Sequence, residues 1–241
     1  ADDPYGRQLN GMGGGVSSLS KVCVISPSDR PDTDVDYRFF QLSSQNRVVD
    51  SSASCGNMAA AVGPFAVDEG LVSVNGDRIC VRIFNVNTDR MIRSTFSLDE
   101  GTAAVNGDLC LPGVAGSGAP IHLEFENPGG GGTGKLLPTG RPTDELQTQG
   151  ARFEVSMVDA GNPCVFVRAQ DLGLAGSELP DTLSQFSEVL DTLEAIRLGA
   201  SVAMGIAQNI DQASAIPGIP KIALISSPAD SVTLSAETIR K

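Results

Sequence analysis

The chain of 241 residues has no tryptophan, and its aromatic side chains amount to nine phenylalanines and two tyrosines. Aromatic platforms on which nucleic-acid bases stack are therefore scarce. Basic residues are also in the minority, because 17 lysines and arginines face 29 acidic side chains, for a formal net charge of −12. A polyanion is repelled by that average field, and no basic cluster overrides it. We expect no nucleic-acid partner.

Ligand sets for metals are lacking too. The sequence has one histidine, His122, and its five cysteines contain no C-x-x-C pair, so zinc-type spacing is absent. The odd number of cysteines indicates reduced thiols in a cytosol-like compartment, and we expect a cytoplasmic protein. Cys23 and Cys80 lie in apolar, strand-like runs and are interpreted as small core residues. His122 lies in a strand-like segment and is interpreted as a structural or surface residue.

Long apolar runs are missing as well. No run approaches the roughly 20 residues that a membrane span requires, and no secretory signal is visible, so we expect no membrane partner. With 41% hydrophobic and 19% charged residues, the composition is that of a globular protein. A chain of this size buries roughly 70–75% of its unfolded surface, so a stable core needs no disulfide or metal.

Short strands dominate the pattern that is present. They are rich in branched or alternating apolar residues and end at Gly, Pro, Asn or Asp. The predicted strands are 21–26, 35–42, 79–86, 91–98, 121–126, 151–158 and 164–169. Asn75-Gly76 and Asn106-Gly107 predict tight hairpin turns and hence antiparallel pairing. Strands do not alternate regularly with helices, which argues against Rossmann and TIM-barrel folds.

Two segments predict helices. Residues 56–69 are apolar on every side, so this helix is expected to be wrapped by other structure, with a kink or restart at Pro64. Residues 181–197 carry leucines and a phenylalanine at helical spacing, and Asp181 is the expected N-cap. A change of composition at 171–180 predicts a domain boundary.

A glycine tract at 129–134, followed by Lys135, satisfies part of a phosphate-binding Walker A pattern. The next residue is Leu136 instead of Ser or Thr, and Pro138 interrupts the helix that should hold the phosphates. We interpret this tract as a loop.

Two other segments carry more chemistry. In residues 11–21, consecutive glycines allow backbone N–H groups to converge on an anion, and serines and Lys21 add donors, although a plain linker explains the segment equally well. Cys55 opens the first predicted helix, where the helix's positive end favours a thiolate. The Gly56 and Asn57 amides there present donors to a carboxylate. The alternative is a cysteine that serves only as a poor N-cap.

Several motifs occur in one order along nearly the whole chain. They are D-P-Y-G-R-Q-L-N-G-M-G-G-G at 3–15, S-S-L-S-K-V at 17–22, S-C-G-N-M-A-A-A-V-G-P-F-A at 54–66, G-K-L-L-P-T-G at 134–140, D-A-G-N-P at 159–163, L-E-A-I-R at 193–197, M-G-I-A at 204–207 and I-P-K-I-A at 219–223. In these motifs the chain resembles the 2-methylaconitate cis–trans isomerase (PrpF type) family, within the diaminopimelate-epimerase-like proteins. Members of that family also include aconitate Δ-isomerase, methylitaconate isomerase and oxalomesaconate tautomerase.

The resemblance implies an α+β fold of two similar halves, each a β-roll around a central helix, with the active site in the cleft between them. Residues 1–172 would form the first half without its N-terminal strand and loop, and residues 173–241 would begin the second half. Cys164 stands where members more often carry Thr.

The resemblance also implies a cofactor-independent isomerase, without metal, that shifts a double bond or changes its geometry in an unsaturated polycarboxylate. Lys21 and Cys55 would be the acid/base pair. Carboxylates would be held by Gly13, Gly14, Gly15, Ser17, Ser18, Ser20, Gly56, Asn57 and Asn162. The partner would be a small anionic polycarboxylate, and a homo-oligomer is compatible with the sequence. The alternatives are a non-catalytic carboxylate-binding or assembly domain and a two-base amino-acid racemase or epimerase.

Overall fold

The computed structural model of the chain describes residues 20–42, 48–111, 116–148, 150–232 and 237–240. Mixed sheets with few helices make up these residues, which confirms the predicted α+β class. The chain divides into two compact units, Ala1–Gly132 and Thr133–Lys241. The boundary expected between residues 172 and 173 lies inside the second unit, and as a division of the complete fold it stays a prediction.

The first unit is built on one mixed sheet. Its strands β1 to β7 are Lys21–Pro27, Val35–Leu42, Val49–Asp50, Arg78–Asn85, Arg90–Asp99, Thr102–Ala103 and Ile121–Phe125. The order β1-β2-β4-β5 runs through the middle, with β7 beside β5. Neighbouring strands are antiparallel except β2 and β4. Each strand predicted in this unit is confirmed to within one residue at either end.

Helix α1, Gly56–Asp68, packs on the inner face of this sheet. Its buried residues recur at helical spacing and are small: Ala59, Val62, Gly63, Ala66 and Val67. They contact inward-facing residues of the strands: Val35, Tyr37, Val81, Ile83 and Ile92. The helix continues through Pro64, so no restart occurs there. Ala61 and Phe65 are exposed, so the expectation of a fully wrapped helix is wrong for the described residues, because the sheet covers one side only.

The two Asn-Gly predictions are wrong as hairpins. Gly76 does have a positive φ of 83°, but its turn joins α1 to β4. Gly107 follows β6 and needs no positive φ; a Cβ there would lie 2.6 Å from the Ala119 Cα, so glycine permits a close backbone approach. An Asn-Gly dipeptide indicates which backbone angles are tolerated and does not identify the elements on either side.

The prediction that Cys80 is a core residue is wrong. Along β4, Val81 and Ile83 point into the core, so Cys80 points to solvent. Cys110 is exposed as well, whereas Cys23 is half-buried and packs against the core, as predicted. The cysteines of the described residues are free thiols.

The second unit has a four-stranded sheet in the order β11-β10-β9-β8. Strands β8 to β11 are Asp144–Thr148, Ala151–Ala160, Asn162–Arg168 and Lys221–Ile225. Strands β10 and β11 are parallel, and the other pairs are antiparallel. A small hairpin follows, made of β12 (Ser231–Val232) and β13 (Thr238–Ile239). The helices are α2 (Pro180–Leu183), α3 (Ser187–Ala203) and α4 (Ile210–Ser214).

The helix predicted at 181–197 is broken and displaced. Helix α2 has Leu179 as its N-cap and α3 has Phe186, so Asp181 caps neither helix. The buried residues of α3 lie in its C-terminal half, where Ile196 and Ala200 meet the sheet, while Leu190 is 43% exposed. Periodicity indicates which residues share a face, but the sheet decides how much of that face it covers. Among the described residues, no helix combines the length and apolar character needed to cross a membrane.

Candidate active site

Strand β1 and the start of α1 bring the two predicted acid/base residues into one region of the first unit. Cys23 and Ile25 face the core that contains α1, and side chains alternate along a strand. Lys21, two residues before Cys23, therefore lies on the same face and is half-buried. Cys55 is the half-buried N-cap of α1 and packs against the same core.

The thiol of Cys23 lies within electrostatic range of both residues. Burial raises the pKa of the Cys23 thiol, and negative charge on Cys55 acts in the same direction. A hydrogen bond with Tyr37 and the positive charge of Lys21 act the opposite way on that pKa. Lys21 and Cys55 therefore both act electrostatically on the same thiol, that of Cys23.

The start of α1 is open to an anion. Cys55 has an extended backbone (φ −125°, ψ 109°), and its side chain makes no capping hydrogen bond. Gly56 and Asn57 are exposed, and their amides belong to the first helical turn, where N–H groups have no acceptor within the helix. The helix's positive end adds to the attraction for a carboxylate. A Cβ at Gly56 would lie 4.0 Å from the Phe125 Cζ, so Phe125 borders this point.

Hydrogen bonds from Asn85, at the end of β4, and from Asn87 hold the loop that precedes Cys55. The buried Asn85 donates from Nδ2 to the Ser54 Oγ at 2.6 Å. Its Oδ1 accepts from the backbone N–H of Asn87 at 3.0 Å. Asn87 in turn donates from Nδ2 to the Ser51 carbonyl at 2.8 Å. Two asparagines of one turn thus fix the chain immediately before the thiol.

The remaining predicted binding residues fall into three groups. Gly13, Gly14, Gly15, Ser17 and Ser18 lie outside the described residues. Ser20 is buried, and its carbonyl accepts from the Leu42 N–H at 2.8 Å and the Gln41 Nε2 at 2.9 Å. Asn162 belongs to the second unit, where it is half-buried at the start of β10 opposite Ala160. The binding roles of these residues stay predictions.

His122 is confirmed as a surface residue. Its side chain is 66% exposed on β7, and its Nε2 lies 3.4 Å from the Glu124 Oε1. Within the described ranges, no three histidine, cysteine or acidic side chains converge in the way that metal ligands do.

Tyr37 and Asn85 were not predicted as site residues, yet Tyr37 contacts Cys55 and Asn85 contacts the residue before it. Both lie inside predicted strands, where alternation alone indicates burial. Asn85 could have been singled out as a polar residue at an inward position of an apolar strand, because a buried amide requires partners. Tyr37 offered no such signal, since its partners come from β1 and α1.

Comparison with known proteins gives a consistent result. A family model described as "PrpF protein" matches residues 1–240. The chain is 40% identical over 233 residues to a protein named 3-methylitaconate isomerase from Eubacterium barkeri, covering 96% of this chain. It is 37% identical to a 2-methyl-aconitate isomerase from Shewanella oneidensis and to a 4-oxalomesaconate tautomerase from Pseudomonas putida, covering 98% of this chain in each case.

A solved structure supports the fold. The crystal structure of a methylitaconate-delta-isomerase aligns with a TM-score of 0.77 and 40% identity over 97% of this chain, which confirms the predicted fold class. The chain spans 61% of that structure, and 61%, 62% and 63% of the three curated relatives named above.

Proposed function

The chain belongs to the PrpF family, and from that premise we propose that the complete protein is a cofactor-independent isomerase of unsaturated polycarboxylates. Its substrate would be of the 2-methylaconitate or aconitate type, in which a double bond is moved or its geometry is changed. The observation that carries the proposal is that Lys21, on the core-facing side of β1, and Cys55, at the exposed start of α1, both lie within electrostatic range of the Cys23 thiol. The names of the relatives support the same chemistry.

The reaction requires two proton transfers. One group removes the proton from the carbon next to the conjugated double bond, and the electron pair that is left spreads over a dienolate. The other group then returns a proton, either to the far carbon of the dienolate or, after rotation about the central bond, to the original carbon. A cysteine and a lysine can serve in these roles when one is deprotonated and acts as the base, as a thiolate or an amine, while the other keeps the proton that it returns. Positioned proton transfer contributes about 10²- to 10⁴-fold to a rate. Lys21 and Cys55 are the residues we propose.

Negative charge builds up on a carboxylate as the dienolate forms. The exposed first-turn amides at Gly56 and Asn57 point from the positive end of α1, where donors of fixed orientation stabilise such charge. We propose that these amides hold the carboxylate next to the carbon that reacts. Ser20, Asn162 and the residues Gly13, Gly14, Gly15, Ser17 and Ser18 are proposed to hold the other carboxylates of the substrate.

The test is hydrogen exchange at carbon. The complete protein is incubated in D₂O with 2-methylaconitate, aconitate, oxalomesaconate and methylitaconate in turn, and deuterium at the allylic carbon is followed by NMR. We expect exchange with at least one acid and its loss in both Lys21→Ala and Cys55→Ser. Lys221→Ala and Cys164→Ser, whose residues lie on β11 and β10 of the second unit, are the matched controls and should retain it.

Other outcomes separate the alternatives. Exchange at the wild-type rate in Lys21→Ala and Cys55→Ser would remove these residues from the mechanism. Binding of a tricarboxylate by calorimetry without any exchange would favour a carboxylate-binding domain. Loss of α-deuterium from an amino acid would favour a racemase or epimerase. We further propose a cytoplasmic location, since the free thiols of the described residues suit a reducing compartment.

A further inference from the structure

Tyr37 and Cys23 connect the strand that carries Lys21 to the residue that begins α1. Tyr37 lies on β2, directly beside β1, and its side chain is fully buried beneath the start of the helix. Its hydroxyl donates to the Cys55 carbonyl oxygen at 3.4 Å. The Cys23 thiol donates to that same tyrosine oxygen at 3.9 Å.

These two contacts form a continuous chain of donors and acceptors. The S–H of Cys23 supplies the tyrosine oxygen with a donor, which leaves the tyrosine O–H free to donate to the Cys55 carbonyl. That carbonyl also accepts the first hydrogen bond of α1, from the Ala59 N–H at 3.0 Å. A carbonyl oxygen has two lone pairs, so both donors can be accommodated. The backbone of Cys55 is thereby attached both to its own helix and to the sheet.

The chain of hydrogen bonds requires both side chains to keep their protons. Burial raises the pKa of Tyr37, and the neighbouring Cys23 and Cys55 add to that rise. The pKa of Cys23 is raised as well, chiefly by burial. Both groups therefore remain neutral donors at neutral pH. Tyr37 is fully buried and so has no opening toward a carboxylate substrate, whereas Cys23 is half-buried with its thiol directed at Tyr37.

We propose that Tyr37 and Cys23 are positioning residues for Cys55, which hold the first turn of α1 at a fixed place against the strand that carries Lys21. This inference rests on the proposed function, because it assigns the two residues to the same acid/base pair. They act through the Cys55 backbone and do not touch the substrate. The first-turn amides that would hold the carboxylate belong to the same turn, so we expect loss of either side chain to lower kcat and to raise KM by a smaller factor.

Tyr37→Phe removes one oxygen atom and keeps the ring that fills the core. One hydrogen bond typically contributes about 0.5–1.5 kcal/mol, so we expect kcat for carbon–hydrogen exchange to fall by about three- to tenfold. KM should rise by a smaller factor than kcat falls, about two- to threefold, since the Gly56 and Asn57 amides are still present but belong to a turn that opens more readily. The amide of Ala59, measured by hydrogen exchange with NMR detection, should exchange about three- to tenfold faster because the first turn opens more readily.

A second pair of variants guards against a folding defect. Cys23→Ala removes the donor to Tyr37. Like Tyr37→Phe, it should lower kcat and increase the hydrogen-exchange rate of the Ala59 amide. Cys23→Ser restores an O–H donor and should recover most of both properties. Cys164→Ala is the matched control: this thiol is also half-buried on a strand, with its pKa also raised by burial, but it lies in the second unit. In Cys164→Ala, kcat and the hydrogen-exchange rate of the Ala59 amide should stay at wild-type values.

Two results would overturn the inference. The first is unchanged kcat and unchanged Ala59 exchange in both Tyr37→Phe and Cys23→Ala. The second is a loss of activity in which KM changes as much as kcat and Cys164→Ala shows the same loss. If the wild-type protein exchanges no carbon-bound hydrogen, the proposed function fails, and the Ala59 amide then decides by itself whether these side chains hold the helix start.

Discussion

Each of the two units packs one long helix on one sheet, but they place their buried polar groups differently. In the first unit, α1 buries a stripe of alanine, valine and glycine, and the buried polar side chains of Tyr37 and Asn85 contact the chain at its N-terminal end, at Cys55 and Ser54. In the second unit, α3 buries Arg197 in its C-terminal half, away from its own N-terminus. A helix that is fixed by shape leaves its end available for chemistry.

Arg197 shows the other use of a buried polar group. Its guanidinium donates to both carboxylate oxygens of Glu194 at 2.7 Å. It also donates to the carbonyls of Ala213, Ile216 and Ile219, at 3.1–3.4 Å. The five donors of an arginine are thus directed at one carboxylate, at α4 and at the chain segment that follows it. The residue ties a loop to a helix, which is a structural role.

Asp159 has a similar role at the end of β9. This fully buried carboxylate accepts from the Thr133 N–H at 2.7 Å and from the Thr133 hydroxyl at 2.8 Å, and its own N–H donates to the Leu136 carbonyl at 2.9 Å. Two of the sequence motifs, G-K-L-L-P-T-G and D-A-G-N-P, are therefore joined in space. The buried charges of the second unit hold loops, whereas Lys21 of the first unit is half-buried beside an open helix end.

The largest effect is expected on activity, with stability almost unchanged. Lys21→Met should reduce carbon–hydrogen exchange by about 10²- to 10⁴-fold, because it removes one of two proton-transfer groups. The free energy of unfolding, measured in urea, should stay within about 1 kcal/mol of the wild type, since the side chain is not part of the buried core. A loss of stability large enough to explain the loss of activity would contradict this assignment.

The second largest effect is expected on stability. Arg197→Met should lower the free energy of unfolding by about 2–4 kcal/mol, because three carbonyls and one carboxylate lose their donor. Urea denaturation measures it, and Arg152→Met is the control, since that arginine lies 3.8 Å from Glu145 with both side chains 73% exposed. Equal stability of the two variants would show that the Arg197 contacts do not hold the loop.

A pair of glycines compares the two helices directly. A Cβ at Gly63 of α1 would lie 2.6 Å from the Ser94 Oγ and 2.8 Å from the Phe96 Cε1, so Gly63→Ala should destabilise by about 1–3 kcal/mol. A Cβ at Gly199 of α3 meets nothing within 4 Å, so Gly199→Ala should stabilise by up to about 1 kcal/mol. Thermal and urea unfolding of both variants test the contrast. If both substitutions changed the free energy of unfolding in the same direction, the contrast between the two helices would be refuted.

The smallest expected effect is a difference in the free energy of unfolding that depends on pH. The hydrogen bonds from Arg197 lower the pKa of Glu194 against the opposing effect of burial. A carboxylate whose folded pKa is depressed adds stability above its unfolded pKa of about 4.3 and loses it as the pH falls through the lower folded value. Glu194→Gln should therefore be less stable than the wild type at pH 6, and the difference should shrink below about pH 4.3. A difference that is independent of pH would contradict the ion pair.

Sequence and structure agree best where a local rule decides the outcome. The strand at 35–42 is predicted to the residue, and helix α1 begins at Gly56 as expected. Strands are short runs with a period of two, and that period is visible without knowledge of partners. The helix expected at 181–197 failed because apolar spacing continues through Ser184–Phe186, where the chain leaves the helical path.

By itself, the sequence determined the α+β class, the location of most strands, the family and the two residues proposed for proton transfer. These depend on local periodicity and on ordered motifs. The tertiary structure alone decided that Tyr37 links the Cys23 thiol to the Cys55 carbonyl, that Asn85 anchors Ser54, and that Arg197 holds a loop. These contacts join residues 14 to 31 positions apart in the sequence. They depend on strand register and helix placement, which the whole core sets rather than any one segment.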